Sequence, residues 1–179
     1  MGTKKQLLPV QGLPAVVRCL ESLRDSQVAD VVIVVNPKGV DIVDATKGFP
    51  VKVAVNELPG SDMASSVKAG MACIDNDATG IMIHLCDHPL VRPETLGSMI
   101  SAHSRKPDAI IIPLYRGRKG HPTLFPRFVL EDLGKVATLR DVIGQHFTKI
   151  SLLDVDDEGV ILDMDTPEDY RKIRDRSNS

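Results

Sequence analysis

Asp87 closes the stretch "IMIHLCD", and Asp163 and Asp165 close "VILDMD". In open α/β sheets, ligands gather at the carboxyl ends of strands. A carboxylate there either caps the following turn or ligates a metal, and for Asp87 taken singly capping is the commoner role. The second cluster changes the balance. Read as the end of a strand, Asp163 and Asp165 stand two apart and project to one face. Paired carboxylates repel unless a cation or a basic side chain joins them, and Mg²⁺ is the hard cation that suits such oxygens. Thr166, Pro167 and Glu168 need no such account, because they form an ordinary helix start.

Two further stretches suit anions. "NELPGSDMASSVKAG" sets Gly60, Ser65, Ser66 and other small residues around a helix start entered through Ser61 or Asp62. Free backbone N–H groups and hydroxyls there can grip a phosphate, sugar or base, although small residues in a helix also serve close packing. "YRGRKGHPTLF" gathers Arg116, Arg118, Lys119 and His121 among glycines. It reads as a long basic loop, either simply solvated or positioned to receive an anionic co-substrate. At the start, Lys4 and Lys5 run straight into "QLLPVQGLP", like the second half of a phosphate-binding loop.

The elements that must position these groups alternate between β-branched runs and helical stretches, the pattern of a parallel sheet flanked by helices. "GLPAVVRCLESLRDSQ" is a helix with Pro14 in its first turn and Val16, Val17, Leu20 and Leu23 on one face. "DVVIVVN" is a strand buried on both sides, "VKVAVN" a second, "GIMIHLCD" a third that breaks at Asp87, and "DAIIIPLY" a fourth. "SDMASSVKAGMACI", "RPETLGSMISAHS" and "TPEDYRKIRDR" are helices, with shorter helical pieces near 127–133 and 139–146. "KISLLDVDDEGVILDMD" reads as two short strands around Asp157, Glu158 and Gly159.

At 179 residues a single domain is expected, long enough to bury roughly 70% of the surface of its unfolded chain. A net charge of −2 argues against nucleic-acid or membrane surfaces. Two Tyr, four Phe and no Trp leave little to stack on bases. No apolar run approaches the roughly 20 residues that span a bilayer. Cys19, Cys73 and Cys86 lack metal spacing and fit reduced thiols in a cytoplasm. His84, within a strand, reads as a packed core histidine. Oligomeric state is not legible.

Taken together, these stretches make the chain resemble the MobA-like nucleotidyltransferases, most closely the molybdenum-cofactor cytidylyltransferases. "MGTKKQLLP" matches the tail of the family's glycine-rich Arg-Met-Gly-x-x-Lys-Gln-Leu-Leu loop. "NELPGSDMASSVKAG" is similar to its Gly-Met-Ser-Ser-Ser nucleotide loop, "LCDHPLVRPETL" to its Asp-x-Pro metal motif, "GHPTLF" to its Gly-His-Pro substrate loop and "ILDMDTPEDY" to its closing Asp-x-Asp-Thr-Pro-Glu-Asp.

The resemblance implies a Rossmann-like three-layer sandwich of the nucleotide-diphospho-sugar transferase type, with a mostly parallel sheet. It implies Mg²⁺-dependent transfer of an NMP from CTP or GTP to the phosphate of a molybdopterin-type cofactor, with pyrophosphate released. Lys5 then contacts the triphosphate, Asp87 holds the metal with Asp163 or Asp165, and Gly60, Met63, Ser65 and Ser66 hold the nucleotide. Gly120 and His121 face the pterin side, with Arg140 assigned to the acceptor phosphate. His88 departs from the usual Met or Gln and reads as a surface substitution. The family's first strand and glycine arc have no counterpart here, so a gap in the sheet or a shifted strand order, and weakened NTP affinity, are expected. The alternatives are a sugar-1-phosphate nucleotidyltransferase and a catalytically silent cofactor-binding homologue.

Overall fold

The computed structural model describes residues 4–60 and 62–176; Ser61, one of the two expected helix entries, lies outside them. A 3₁₀ turn at Lys5–Leu7 leads into a hairpin of β1 (Pro9–Val10) and β2 (Leu13–Pro14). Gln11 and Gly12 turn it with φ of 51° and 82°. Positive φ at both central residues is the geometry whose twist matches the flanking strands. Pro14, expected in the helix's first turn, ends β2 instead and stands just before α1 (Ala15–Asp25), whose Ala15, Val16, Val17, Cys19 and Leu20 are buried. β3 (Val32–Val35), α2 (Val40–Ala45) and β4 (Lys52–Val55) form a parallel unit, with Ile33 opposite Val53.

Next come α3 (Met63–Met71), β5 (Gly80–Ile83) and α4 (Pro93–Arg105), then β6 (Ile110–Tyr115), β7 (Arg118–Lys119) and β8 (Thr123–Pro126). The chain closes with α5 (Arg127–Leu130), α6 (Leu139–Gln145), β9 (Ile150–Asp154) and α7 (Pro167–Arg176). β6 is the hub of the larger sheet, parallel to β9 and antiparallel to β7 and β8, while β5 pairs antiparallel with β8. Alternation along β6 builds the three layers. Ile110 and Ile112 pack with Val67 of α3, Val129 of α5 and Val142 of α6. Ile111 faces the other way, onto Met99 and Ala102 of α4.

Three expectations are corrected. "RGRKGHPTLFP" is no loop: Arg116 and Gly117 make a tight turn with φ of 47° and 79°, and Thr123–Pro126 is a wholly buried strand. The glycines and prolines that read as loop serve a turn and a strand end. β5 stops at Ile83, four residues before Asp87, so His84 lies past the strand rather than within it. The second strand expected in "KISLLDVDDEGVILDMD" does not form. A 3₁₀ turn at Glu158–Ile161 replaces it, and the Val160 carbonyl accepts from the His121 N–H at 2.7 Å. Asp157, 3% exposed, fixes that turn. It accepts hydrogen bonds from the Arg92 N–H (2.9 Å), the Thr95 hydroxyl (2.7 Å) and the Gly159 N–H (2.9 Å). A Cβ on Gly159 would overlap the Leu90 carbonyl, so only glycine fits that crossing.

The expected gap is present as well. Among the described residues β3 pairs only with β4, and β5 only with β8. Between them runs a trench of about 880 Å³. Among the described residues no helix is long and apolar enough to cross a membrane.

Candidate active site

The C-terminal acids are placed by α7. Met164 is fully buried in a cluster with Val10, Ala15 and Ile173. Anchoring Met164 inward leaves its neighbours Asp163 and Asp165 on the outside. The two share a side because of that plug, not because of strand alternation. Asp165 N–H donates to Asp163 Oδ1 at 3.3 Å, which tightens the turn. Thr166 and Asp169 then form a reciprocal cap: the Thr166 hydroxyl donates to Asp169 (2.6 Å) and accepts from its N–H (3.1 Å). The Tyr170 hydroxyl donates to the Pro9 carbonyl at 2.8 Å, tying α7 to the opening hairpin. The 3₁₀ turn that leads into this hairpin carries Lys5, whose ammonium lies 2.8 Å from Asp165.

Lys5 is therefore shared by all three acids. Its hydrogen bond to Asp165 raises its pKa above the ordinary lysine value, and the charges of Asp87 and Asp163 add to the effect. Lys4 points elsewhere, pairing with Asp41 and the Lys38 carbonyl.

Asp87 sits in the turn after β5, where His88 N–H donates to the Leu85 carbonyl at 3.1 Å. One of its oxygens, Oδ1, is sealed from solvent and makes no hydrogen bond, with His88 Nε2 3.9 Å away. His88 is not a surface residue: it is 5% exposed, with its ring centroid 5.0 Å from that of His121. The ring Nδ1 atoms of both histidines are buried without partners. His121 has its pKa lowered by burial and by His88, while Asp87 and Asp163 pull it upward. Burial drives His84 down to about 4, and Cys86, beside Asp87, is pushed up to about 11. One compact group thus contains Lys5, Asp87, His88, His121, Asp163 and Asp165.

Gly120 is explained by packing, since a Cβ there would overlap the Val160 backbone. Arg140 stands exposed on α6, which packs through Val142 beneath β8, and no hydrogen bond ties it to the acidic group among the described residues. In the serine stretch, Asp62 caps α3 by accepting from Ser65 N–H at 2.8 Å. Ser65 and Ser66 hydroxyls both donate to the Asp62 carbonyl and accept from the Asn56 amide at 2.9 and 3.1 Å. Gly60 (φ 69°) and Met63 are exposed before them. Asn56, at the carboxyl end of β4 and 4% exposed, opens the serine stretch, yet the sequence reading gave it no role of its own. Its signal is an Asn closing an apolar run.

Among the described residues no three His, Cys, Asp or Glu side chains converge as a metal cage. The donor set nevertheless suits a hard divalent cation. Such ions are held by one or two carboxylates and complete their shell with water and substrate phosphates. Asp87 Oδ1, which makes no hydrogen bond, is the oxygen that suits that purpose.

A layered α/β sandwich, with Asp87 in the turn beyond β5 and Lys5 beside Asp165, is a Rossmann-like fold. More particularly, residues 1–150 match the MobA-like NTP transferase domain, and the chain belongs to that family. It is 30% identical over 135 residues to a 2-C-methyl-D-erythritol 4-phosphate cytidylyltransferase of Frankia casuarinae, covering 75% of this chain and 44% of that protein. The chain thus spans less than half the length of the curated relatives it matches. The crystal structure of Rv0371c from Mycobacterium tuberculosis superposes with a TM-score of 0.83 at 28% identity, covering 98% of this chain and 90% of that one. Its complex with manganese gives 0.78 at 25% identity, with coverage of 97% and 93%.

Proposed function

We propose that this chain is a single-domain, metal-dependent nucleotidyltransferase. An oxygen of an acceptor phosphate attacks the α-phosphorus of an NTP, the bond from that phosphorus to the bridging oxygen breaks, and pyrophosphate leaves. The observation that carries this reading is Lys5, paired with Asp165 and also under the charge of Asp87 and Asp163. In-line transfer asks mainly for positioning and charge neutralisation. Lys5 exchanges Asp165 for a phosphate oxygen and holds the departing pyrophosphate. Asp87, with Asp163 or Asp165, is the set that would hold Mg²⁺ or Mn²⁺, which supplies charge neutralisation at the phosphates. The manganese complex of the Mycobacterium relative supports a divalent ion of this kind. Asn56, Ser65 and Ser66, with Gly60 and Met63 in front, form the nucleotide side.

CTP is the favoured donor, since the curated relatives are cytidylyltransferases, with GTP second. The acceptor is a molybdopterin-type phosphate contacted by Gly120 and His121, with Arg140 as an outer contact. A second reading is favoured by the same relatives: a polyol phosphate such as 2-C-methyl-D-erythritol 4-phosphate. The three free thiols suit a reducing cytoplasm. The test is pyrophosphate release with CTP, GTP, ATP and UTP, each with Mg²⁺ or Mn²⁺ and each acceptor. Release that needs both metal and one acceptor supports the proposal. Nucleotide binding without release under every combination makes the chain a silent binder.

A further inference from the structure

Five buried side-chain atoms among the described residues make no hydrogen bond: His84 Nε2, Asp87 Oδ1, and the Nδ1 atoms of His88, His103 and His121. Buried polar atoms are nearly always paired, so each exception asks for a reason. His103 stands apart on α4. The other four gather around Asp87, since the His88 and His121 rings pack together and His84 lies close enough to feel both.

Local structure explains how Asp87 and His88 come to face one point. In a strand, successive side chains project to opposite faces. Here the chain turns instead, because His88 N–H donates to the Leu85 carbonyl at 3.1 Å. The Cys19 thiol points at the carbonyls of Leu85 (4.0 Å) and His88 (3.9 Å), holding both ends of the turn against α1. The His121 ring, tilted at 47°, backs the His88 ring. His88 Nε2 then stands 3.9 Å from Asp87 Oδ1. That is too long for a hydrogen bond.

The same span suits two donors on one ion. Donors at about 2.1 Å from an ion lie about 3.4 Å apart at the tetrahedral angle and about 4.2 Å apart on opposite sides. The observed distance falls between these, so an ion fits with little movement. Donor chemistry then decides which ion. Mg²⁺ takes oxygen ligands, whereas imidazole suits transition ions. Glutamine and methionine, the usual types at this position in the resemblance, carry no imidazole.

We propose that His88 Nε2 joins Asp87 Oδ1 in binding one divalent transition-metal ion, so that this chain takes Zn²⁺ or Mn²⁺ in preference to Mg²⁺. The inference rests on the metal site of the proposed transferase and names the class of ion that site takes. Among the described residues two donors rather than three come together here. The ion's other positions are left to water or a substrate phosphate.

The test reads metal binding by the full chain without nucleotide or acceptor. Calorimetry should show Zn²⁺ and Mn²⁺ each binding at least about tenfold more tightly than Mg²⁺. Pulsed electron paramagnetic resonance of the Mn²⁺-loaded chain should show coupling to a directly bound imidazole nitrogen. His88→Gln should remove that coupling and weaken Mn²⁺ binding at least about tenfold, with Mg²⁺ binding kept within about twofold. His88→Met should do the same, and circular dichroism selects whichever variant keeps the parent fold. Three results overturn the proposal: Mg²⁺ bound as tightly as Mn²⁺, no nitrogen coupling in the parent chain, or coupling that survives in the folded variant. The transferase reading fails separately: nitrogen coupling in a chain that never releases pyrophosphate keeps this metal site and removes that reaction.

Discussion

Asp87 and His121 belong to opposite halves of one small site, and their contributions separate kinetically. Asp87 presents an unpartnered oxygen beside the lysine-facing acids. Asp87→Ala should lower turnover by at least about 10²-fold while the far-UV and near-UV circular dichroism stay unchanged. Unchanged turnover would leave Asp87 as a turn residue. His121 is held neutral at physiological pH by burial beside His88. His121→Ala should raise the KM for the acceptor and leave that for the NTP alone. An effect confined to the NTP would move His121 to the donor side. Asn56→Ala should show the reverse pattern, since it removes the amide that orients the Ser65 and Ser66 hydroxyls at the head of α3.

The elements that bring these residues together depend on buried connections. The 3₁₀ turn at Glu158–Ile161 is held by the Asp157 carboxylate, which accepts two backbone N–H groups and one hydroxyl. Removing this buried acceptor strands all three donors, at about 1–3 kcal/mol for each neutral group left unpaired. Asp157→Ala should therefore lower the free energy of unfolding in urea by about 3 kcal/mol or more. Because β7 and His121 lean on the same turn, the acceptor KM should rise with it. A loss below about 1 kcal/mol would show that the turn is held by its glycine crossing alone. By the same logic α7 is a positioning element: its Tyr170 clamp to Pro9 keeps Lys5 beside Asp165.

For the molecule as a whole, His84 sets a pH dependence. Its folded pKa of about 4 lies below the ordinary 6.5, so between these values the unfolded chain binds a proton that the folded chain refuses. Stability conferred by the neutral imidazole is thus complete above about pH 6.5, declines as pH falls, and stops declining below about pH 4. Its size is up to about 3 kcal/mol, reduced because the side chain as a whole borders the open trench. His84→Gln should flatten urea stability between pH 6.5 and 4 relative to the parent chain. A parallel decline in both would assign the acid sensitivity elsewhere.

Layer order, helix starts and the acidic and serine stretches were legible because they are local. Asp62 and Thr166 cap the helices their types predict, and the continuous run of β3 needs two covering layers wherever it lies. The buried strand at Thr123–Pro126 was not legible, since glycine and proline look alike whether they make a loop or a tight turn and a strand end. Nor was the burial of His88, which follows from the ring of His121, 33 residues away. Sequence by itself determined which groups can carry charge and which stretches fold into helix or strand, because those preferences lie in side-chain volume and backbone freedom within a few residues. Only the tertiary structure decided that Lys5 meets Asp165 and that a trench separates β3 from β5. Both depend on contacts between distant elements, and no local propensity encodes those.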